Sequence, residues 1–324
     1  MGIKQKTEND SMSDDTQPPE SRGEFALINF IRSRAGQTPA AGSLGIGDDC
    51  ALFPCGNDTI AVTTDMLIEG VHFDTSAPLR QVGWKAAAVS FSDVAAMGIR
   101  PEVLLCAAAL PERFSMQQAR EIILGLEDAC VRYGVILAGG DTTSSDGPLS
   151  LCTTAFGRAG GLRPVLRSGA RPGQVILVTG SLGGSILGKH MTFEPRVDEA
   201  VLLNQRFKLG AMIDISDGLA ADLHHIIEES KTGAILEADA IPLSDAARVL
   251  AGKDGLSPLY HALHDGEDFE LLFTMDAAEA QRLVEKPPFD TPVCIIGTVA
   301  ESGFFIRENS SLNPLEPKGY EHFK

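Results

Sequence analysis

The sequence predicts an α/β (α+β) architecture in two domains, and three observations carry that expectation. At 324 residues the chain exceeds what one ordinary core organises. Segments with strand and helix periodicity alternate through both halves. Near the start, a turn at Gly56-Asn57-Asp58 separates two short β-branched or apolar runs, so antiparallel hairpins belong in the first half. With 44% hydrophobic and 22% charged residues, the composition is that of a soluble globular protein.

Residues 1–20 are polar and rich in breakers, which reads as a disordered tail. Glu24 to Arg34 repeats apolar residues at Phe25, Ile28 and Ile31, a short amphipathic helix. Gly45 to Cys50 is a glycine-flanked bend ahead of the hairpin, whose second run, Ile60 to Thr64, ends at Asp65. Ser76 is expected to cap a helix reaching about Met97, with Pro78 in its first turn. Its stripe of Val82, Ala86, Val89 and Ala96 also carries Asp93. Val103 to Leu110 reads as a strand. Ser115 and Gln118 then form a capping box for a helix that Gly134 stops. Its buried face is read as Met116, Ala119, Ile123, Leu126, Cys130 and Tyr133. Val135 to Ala138 is a strand ending in Gly139-Gly140-Asp141-Thr142-Thr143, and Pro148 to Gly157 is another.

The Pro-, Gly- and Arg-rich stretch Arg163 to Gly173 marks a domain boundary, so domains are expected over 21–160 and 161–324. Val175 to Thr179 opens the second, and a helix is expected to start within the glycine-rich segment that follows. Ala211 to Ile215 leads into Asp214-Ile215-Ser216-Asp217-Gly218 and a helix with Leu219, Leu223, Ile226 and Ile227 inward. Phe269 to Thr274 and Pro292 to Val299 complete the strands that the pattern supports.

Several function classes are excluded. A net charge of −17 without a basic patch argues against nucleic acid as a partner. No apolar run approaches a bilayer span, so a membrane is not expected either. Six cysteines without a C-x-x-C pair fit reduced thiols in a cytoplasmic protein. Gly183 to Lys189 fits G-x-x-x-x-G-K, but His190 stands where a P-loop needs Ser or Thr, so the P-loop is rejected. Nothing points to a serine or cysteine nucleophile with its histidine base.

The aspartates suggest a positive reading. Asp48, Asp49, Asp65, Asp93, Asp141, Asp214 and Asp217 fall at glycine turns, strand ends or an inward helix stripe. Singly, each is explained by capping or solvation. Together they repel: two unit charges ~4 Å apart at an effective dielectric of ~20 interact by about 4 kcal/mol. Oxygen-only ligands suit hard cations, above all Mg²⁺. Several such ions bridging a nucleoside triphosphate would satisfy carboxylates and phosphates at once.

These residues also carry a resemblance. L-G-I-G-D-D-C-A at 44–51, T-T-D at 63–65, G-V-H-F at 70–73 and S-D-V-A-A-M-G at 92–98 occur in one order. They are followed by G-G-D-T-T at 139–143, R-S-G-A-R-P-G at 167–173, I-D-I-S-D-G-L at 213–219, G-E-D-F-E-L at 266–271 and K-G-Y-E-H-F at 318–323. The sequence resembles the thiamine-monophosphate kinases, which share a superfamily with aminoimidazole ribonucleotide synthetase, selenophosphate synthetase and a hydrogenase maturation factor. The resemblance implies an N-terminal domain that binds ATP and Mg²⁺ and dimerises through its strands, and a C-terminal α/β domain. It also implies ATP-dependent phosphorylation of thiamine monophosphate by direct transfer, in a homodimer. Carried over, Asp49, Thr63, Thr64, Asp65, Asp93, Asp141, Asp214 and Asp217 would bind Mg²⁺, with Asp48 beside Asp49. Tyr133, Gly140, Asp141, Arg167 and Ser216 would contact ATP, and His72, Glu267 and Tyr320 the thiamine phosphate. Without the resemblance, His72 and Tyr320 read as ordinary packing residues and Tyr133 as a helix's last apolar position.

Pro317 stands where the family usually has Trp, which shifts ring contact toward Tyr320. Other members of the superfamily remain as alternatives, as does a catalytically silent metal-binding protein. Selenophosphate synthetase would need a reactive Cys near the N-terminus, and none precedes Cys50. The hydrogenase factor would end in Cys, and this sequence ends in Lys324.

Overall fold

Short β-branched runs divided by a two-residue turn pair as their pattern requires. Helix α1 (Glu24–Ala35) precedes β1 (Ala51–Cys55) and β2 (Asp58–Ile68), which are antiparallel with Ala51 opposite Val62 and Cys55 opposite Asp58. The computed structural model describes residues 23–35 and 42–320, so the expected disordered tail lies outside the described residues. Next come α2 (Leu79–Ala96), β3 (Val103–Pro111), α3 (Met116–Tyr133), β4 (Ile136–Ser145) and β5 (Ser150–Arg158). The sheet order is β1-β2-β5-β3-β4, antiparallel except for β3 and β4, which α3 joins as a parallel crossover. Alternation turns Ala61, Thr63, Leu67, Leu151, Thr153 and Ala155 toward α2 and leaves Phe53, Met66 and Leu105 exposed on the other face.

The second half continues with β6 (Val175–Thr179), α4 (Lys189–Thr192), α5 (Val197–Arg206), β7 (Leu209–Asp214), α6 (Leu219–Ser230) and β8 (Gly233–Glu237). Then follow α7 (Asp245–Asp254), α8 (Pro258–His264), β9 (Leu271–Met275), α9 (Ala277–Glu285), β10 (Val293–Ala300), β11 (Phe304–Glu308) and β12 (Ser311–Pro314). The second sheet has the order β12-β11-β8-β10-β6-β9-β7. Strands β6, β7 and β9 are covered on both faces: Ile176, Val178, Ile213 and Leu272 pack with α6, while Leu177, Met212 and Phe273 join the core that surrounds α2. Thus α2 packs on the first sheet, on α3, and on α4, α5 and β7 of the second half. Among the described residues no helix is long and apolar enough to cross a membrane.

Several local expectations need correction. Ser76 does not cap α2: Pro78 is the N-cap, and the Ser76 amide instead donates to Asp74 Oδ1 at 2.8 Å. Met116 and Ile123 point outward and Ile122, Gly125 and Ala129 inward, a rotation imposed by packing against α2. Asp65 and Asp141 lie inside strands, because pairing with β5 and β3 carries β2 and β4 beyond them. Phe269 is excluded from β9 by its left-handed backbone, φ +49°. The capping box of Ser115 and Gln118 and the left-handed stop at Gly134 form as read.

Helices α2 and α3 approach so closely that their glycines interlock. A Cβ on Gly83 would lie 2.0 Å from the Ile122 carbonyl oxygen, and one on Gly125 the same distance from that of Arg80. Gly83→Ala is therefore expected to destabilise the protein by about 1–3 kcal/mol, a forced-overpacking effect. Urea unfolding checks this, and wild-type stability in the variant would contradict the close crossing.

Candidate active site

Beyond Val62, β2 has no partner on its β1 side among the described residues, and its edge opens onto a cavity of about 710 Å³ between the halves. Thr64, Asp65, His72 and Asp93 line it from the first half, and Ser216, Asp217, Glu267 and Tyr320 from the second. Hydroxyl groups of one strand, β2, and one helix, α2, hold carboxylates along its floor. Ser90 Oγ donates to Asp65 Oδ2 at 2.7 Å, Thr63 Oγ1 to Asp93 Oδ2 at 2.5 Å, and Ser92 Oγ to Asp214 Oδ2 at 2.5 Å.

These acids act on one another. Burial, then Asp65, Asp214 and Asp49, push the Asp93 carboxyl well above the usual range. Burial raises Asp65 as well, against the Ser90 hydrogen bond. Asp214 is pushed up to about 7 by burial and by Asp49, and Asp48 to about 7 by burial and again Asp49. A carboxyl group held where its charge is disfavoured gains from any cation that reaches it. Asp49 Oδ2 is buried with no hydrogen-bond partner among the described residues. All the donors are oxygens, so this set fits Mg²⁺.

The structure brings Asp48, Asp49, Thr63, Asp65, Asp93 and Asp214 together, and Asp217 borders the same cavity. Arg167, expected at ATP, lies instead on Asp49 Oδ1, with Nη2 at 2.6 Å and Nε at 3.2 Å. Its backbone N–H donates to Asp48 Oδ2 at 3.1 Å. Asp141 is not in the cluster. It shares the open face of the sheet with Thr64 and Met66, but its row, Met66–Cys152–Ala107–Asp141, puts three strand spacings between it and β2. At ~4.8 Å per spacing that is roughly 14 Å. Gly140 is required by its own sheet, since a Cβ there would sit 1.7 Å from the Cys106 carbonyl oxygen. Tyr133 is buried behind α2 against Trp84 and Phe91, away from the acids, and its hydroxyl has no partner among the described residues.

Sequence reasoning missed Ser90 and Ser92, although Ser90 lies one turn before Asp93 and so on its face of the helix. It also missed Asp222, whose Oδ2 accepts from the Asp217 and Gly218 amides and so braces the turn that enters α6. Asp217, Asp222 and His225 offer ligand atoms within 4.8 Å of one another, a second grouping able to hold a cation.

The loop carrying Glu267 is strained and heavily braced. Glu267 has φ +63° and Phe269 φ +49°, a conformation that costs about 1–3 kcal/mol per residue. The Glu267 amide donates to Ser216 O at 2.7 Å and the Phe269 amide to Ile215 O at 2.8 Å. Glu270 is gripped by Arg196 and by Lys189, the lysine of the rejected P-loop pattern, at 2.7 and 2.8 Å. Asp268 accepts from the Gly183 amide at 2.7 Å, and burial pushes its carboxyl up to about 7.

A raised folded-state value means that folding favours the protonated acid. Stability from Asp268 is thus full below pH 4 and is lost as the pH rises to about 7. Asp268→Asn is expected to remove part of the fall in stability between pH 4 and about 7. Thermal unfolding of the metal-free protein across that range measures it, and identical slopes in the two proteins would refute the assignment.

Comparison with known proteins gives the family and the fold. Residues 47–159 match the family model of the AIR synthase related protein N-terminal domain, and residues 171–307 that of its C-terminal domain. The thiamine-monophosphate kinase of Rhodopirellula baltica is 38% identical over 310 residues, covering 92% of this chain and 97% of that protein. The Escherichia coli K12 enzyme of the same name is 35% identical, covering 93% and 98%. The structure of AaThiL complexed with AMPPCP and TMP superposes with a TM-score of 0.83 at 31% identity, covering 96% of this chain and all of that one. The hydrogenase maturation protein HypE from Escherichia coli, at 20% identity and a TM-score of 0.69, shares the fold. With two domain models matched in order and this identity over nearly its whole length, the chain belongs to the thiamine-monophosphate kinase family of AIR synthase related proteins.

Proposed function

We propose that this chain transfers the γ-phosphoryl group of ATP directly to the phosphate of thiamine monophosphate, giving thiamine diphosphate and ADP. The observation that carries the reading is a single cavity with the acids Asp65, Asp93 and Asp217 beside His72, Glu267 and Tyr320. Asp49, Thr63, Thr64, Asp65, Asp93, Asp214 and Asp217 would hold Mg²⁺, which when bound would screen the repulsion between donor and acceptor phosphates. Glu267 would face the cationic ring of the acceptor, and the Tyr320 ring would lie against it. Arg167 would pass from Asp49 to a phosphate of ATP once that carboxylate is otherwise neutralised. Ser216 would contact the same nucleotide. Placing the two phosphates in line supplies the catalysis, and no covalent enzyme intermediate is needed. We place the protein in the cytoplasm, where its six free thiols are stable.

A homodimer is part of the proposal. The exposed face with Phe53, Met66 and Leu105 and the unpaired outer edge of β4 suit a second copy. Packing there would let Asp141 of one copy serve the acidic cluster of the other.

ADP release should appear with thiamine monophosphate and not with thiamine, selenide or an aminoimidazole precursor, and chelating the divalent ions should stop it. Equal turnover with another acceptor would reject the assignment. Asp65→Asn and Asp141→Asn should each lower turnover by about a hundredfold or more without loss of fold. Mixing the two inactive variants, with subunit exchange, should restore about a quarter of wild-type activity, since half the dimers would contain one intact site. No recovery after demonstrated exchange would rule out the shared site.

A further inference from the structure

Helix α2 buries an ammonium group for which phosphoryl transfer has no direct use. Lys85 is fully buried. Its Nζ donates to the His72 carbonyl oxygen at 2.7 Å and pairs with Glu267 Oε1 at 2.6 Å. These partners line the cavity from different halves of the molecule, His72 in the turn after β2 and Glu267 in the strained loop before β9. The neighbours of Lys85 on the helix, Val82, Ala86 and Val89, are apolar and buried, so packing alone would be met by an apolar side chain. A buried ammonium deprived of its partners costs several kcal/mol, which makes Lys85 a tie whose two ends cannot separate cheaply. Lys85 itself does not line the cavity. Burial lowers its pKa, and the Glu267 carboxylate works against that shift.

We propose that Lys85 is a positioning residue for the acceptor. It orients the Glu267 carboxylate and fixes its spacing from the His72 turn, so it governs how tightly the thiamine phosphate is held without touching it. The inference rests on the functional reading above, in which His72 and Glu267 contact that acceptor.

Two measurements on the full chain test it. In Lys85→Met, the KM for thiamine monophosphate should rise about tenfold or more, while the KM for ATP stays within twofold. In a Glu267→Gln background the same change should add less than twofold, because the carboxylate it orients is gone. A change of twofold or less in the acceptor KM, or full additivity with Glu267→Gln, overturns the proposal. The second measurement is amide hydrogen exchange of ligand-free protein, where the Glu267 and Phe269 amides should exchange about tenfold faster in Lys85→Met. Unchanged exchange there also overturns the proposal. Should the wild type fail to phosphorylate thiamine monophosphate, the functional reading falls and the exchange result alone decides on Lys85. Should Lys85→Met not fold, Lys85→Gln, which keeps an uncharged NH2 with two N–H donors, is read by the same criteria.

Discussion

Carboxylates crowd the floor of the cavity because α2 presents hydroxyl groups to them from within a densely packed, largely buried helix. Ser90 and Ser92 hold Asp65 and Asp214, acids that come from different sheets, while Asp93 of the same helix is held by Thr63 of β2. Without these bonds the acids would turn toward solvent, since each is raised by burial and Asp93 and Asp214 also by their neighbours. The arrangement is affordable only because the rest of α2 is packed so densely. Its alanines are completely buried, and its crossing with α3 is closed by glycine on both sides. Packing energy thus stands against electrostatic cost within one helix.

The same helix joins the halves of the molecule. The hydrophobic core continues from Leu104 and Leu151 of the first sheet, through Val82 and Phe91, to Leu177, Met212 and Phe273 of the second. The cavity walls are therefore set by rigid elements, and of the described non-glycine residues with left-handed backbone only Glu267 and Phe269, in the loop that they brace, line it.

Much of this was legible from local pattern. Asp93 on an apolar stripe, the glycine bend at Asp48 and Asp49, and Asp214 at a strand end follow from periodicity and turn chemistry. Asp65 and Asp141 were misplaced relative to their strands because a strand's length is decided by its partner: Asp65 continues the ladder opposite Thr153, and Asp141 opposite Ala107. No local signal carries that register. The distance of Asp141 from the cluster was equally hidden, since it depends on strand order. Lys85 went unread for a different reason. A lysine beside an apolar stripe is normally the solvent side of the helix, and only the enclosure of α2 by both halves reverses that. The run Lys85 to Met97, dominated by small residues, was the available hint that this helix is surrounded.

The buried acids divide by what neutralises them. Glu267 has Lys85, and Glu270 has Arg196 and Lys189, so each carries its own cation and is fixed in place. Asp65, Asp93 and Asp214 are held by hydroxyl hydrogen bonds, which orient a carboxylate but cancel none of its charge. Asp49 stands between the groups, with Arg167 on one oxygen and the other oxygen buried without a hydrogen bond. A protein built only for stability would protonate or replace such acids, because a buried charge lacking a counter-ion is the costliest kind. Among the described residues Asp93 and Asp214 press on one another with no ion pair of their own, where Glu267 and Glu270 each have one, and that contrast supports the metal-binding role proposed for them. Arg167 lowers the cost at Asp49 without cancelling it, since burial still holds that carboxyl above its usual range.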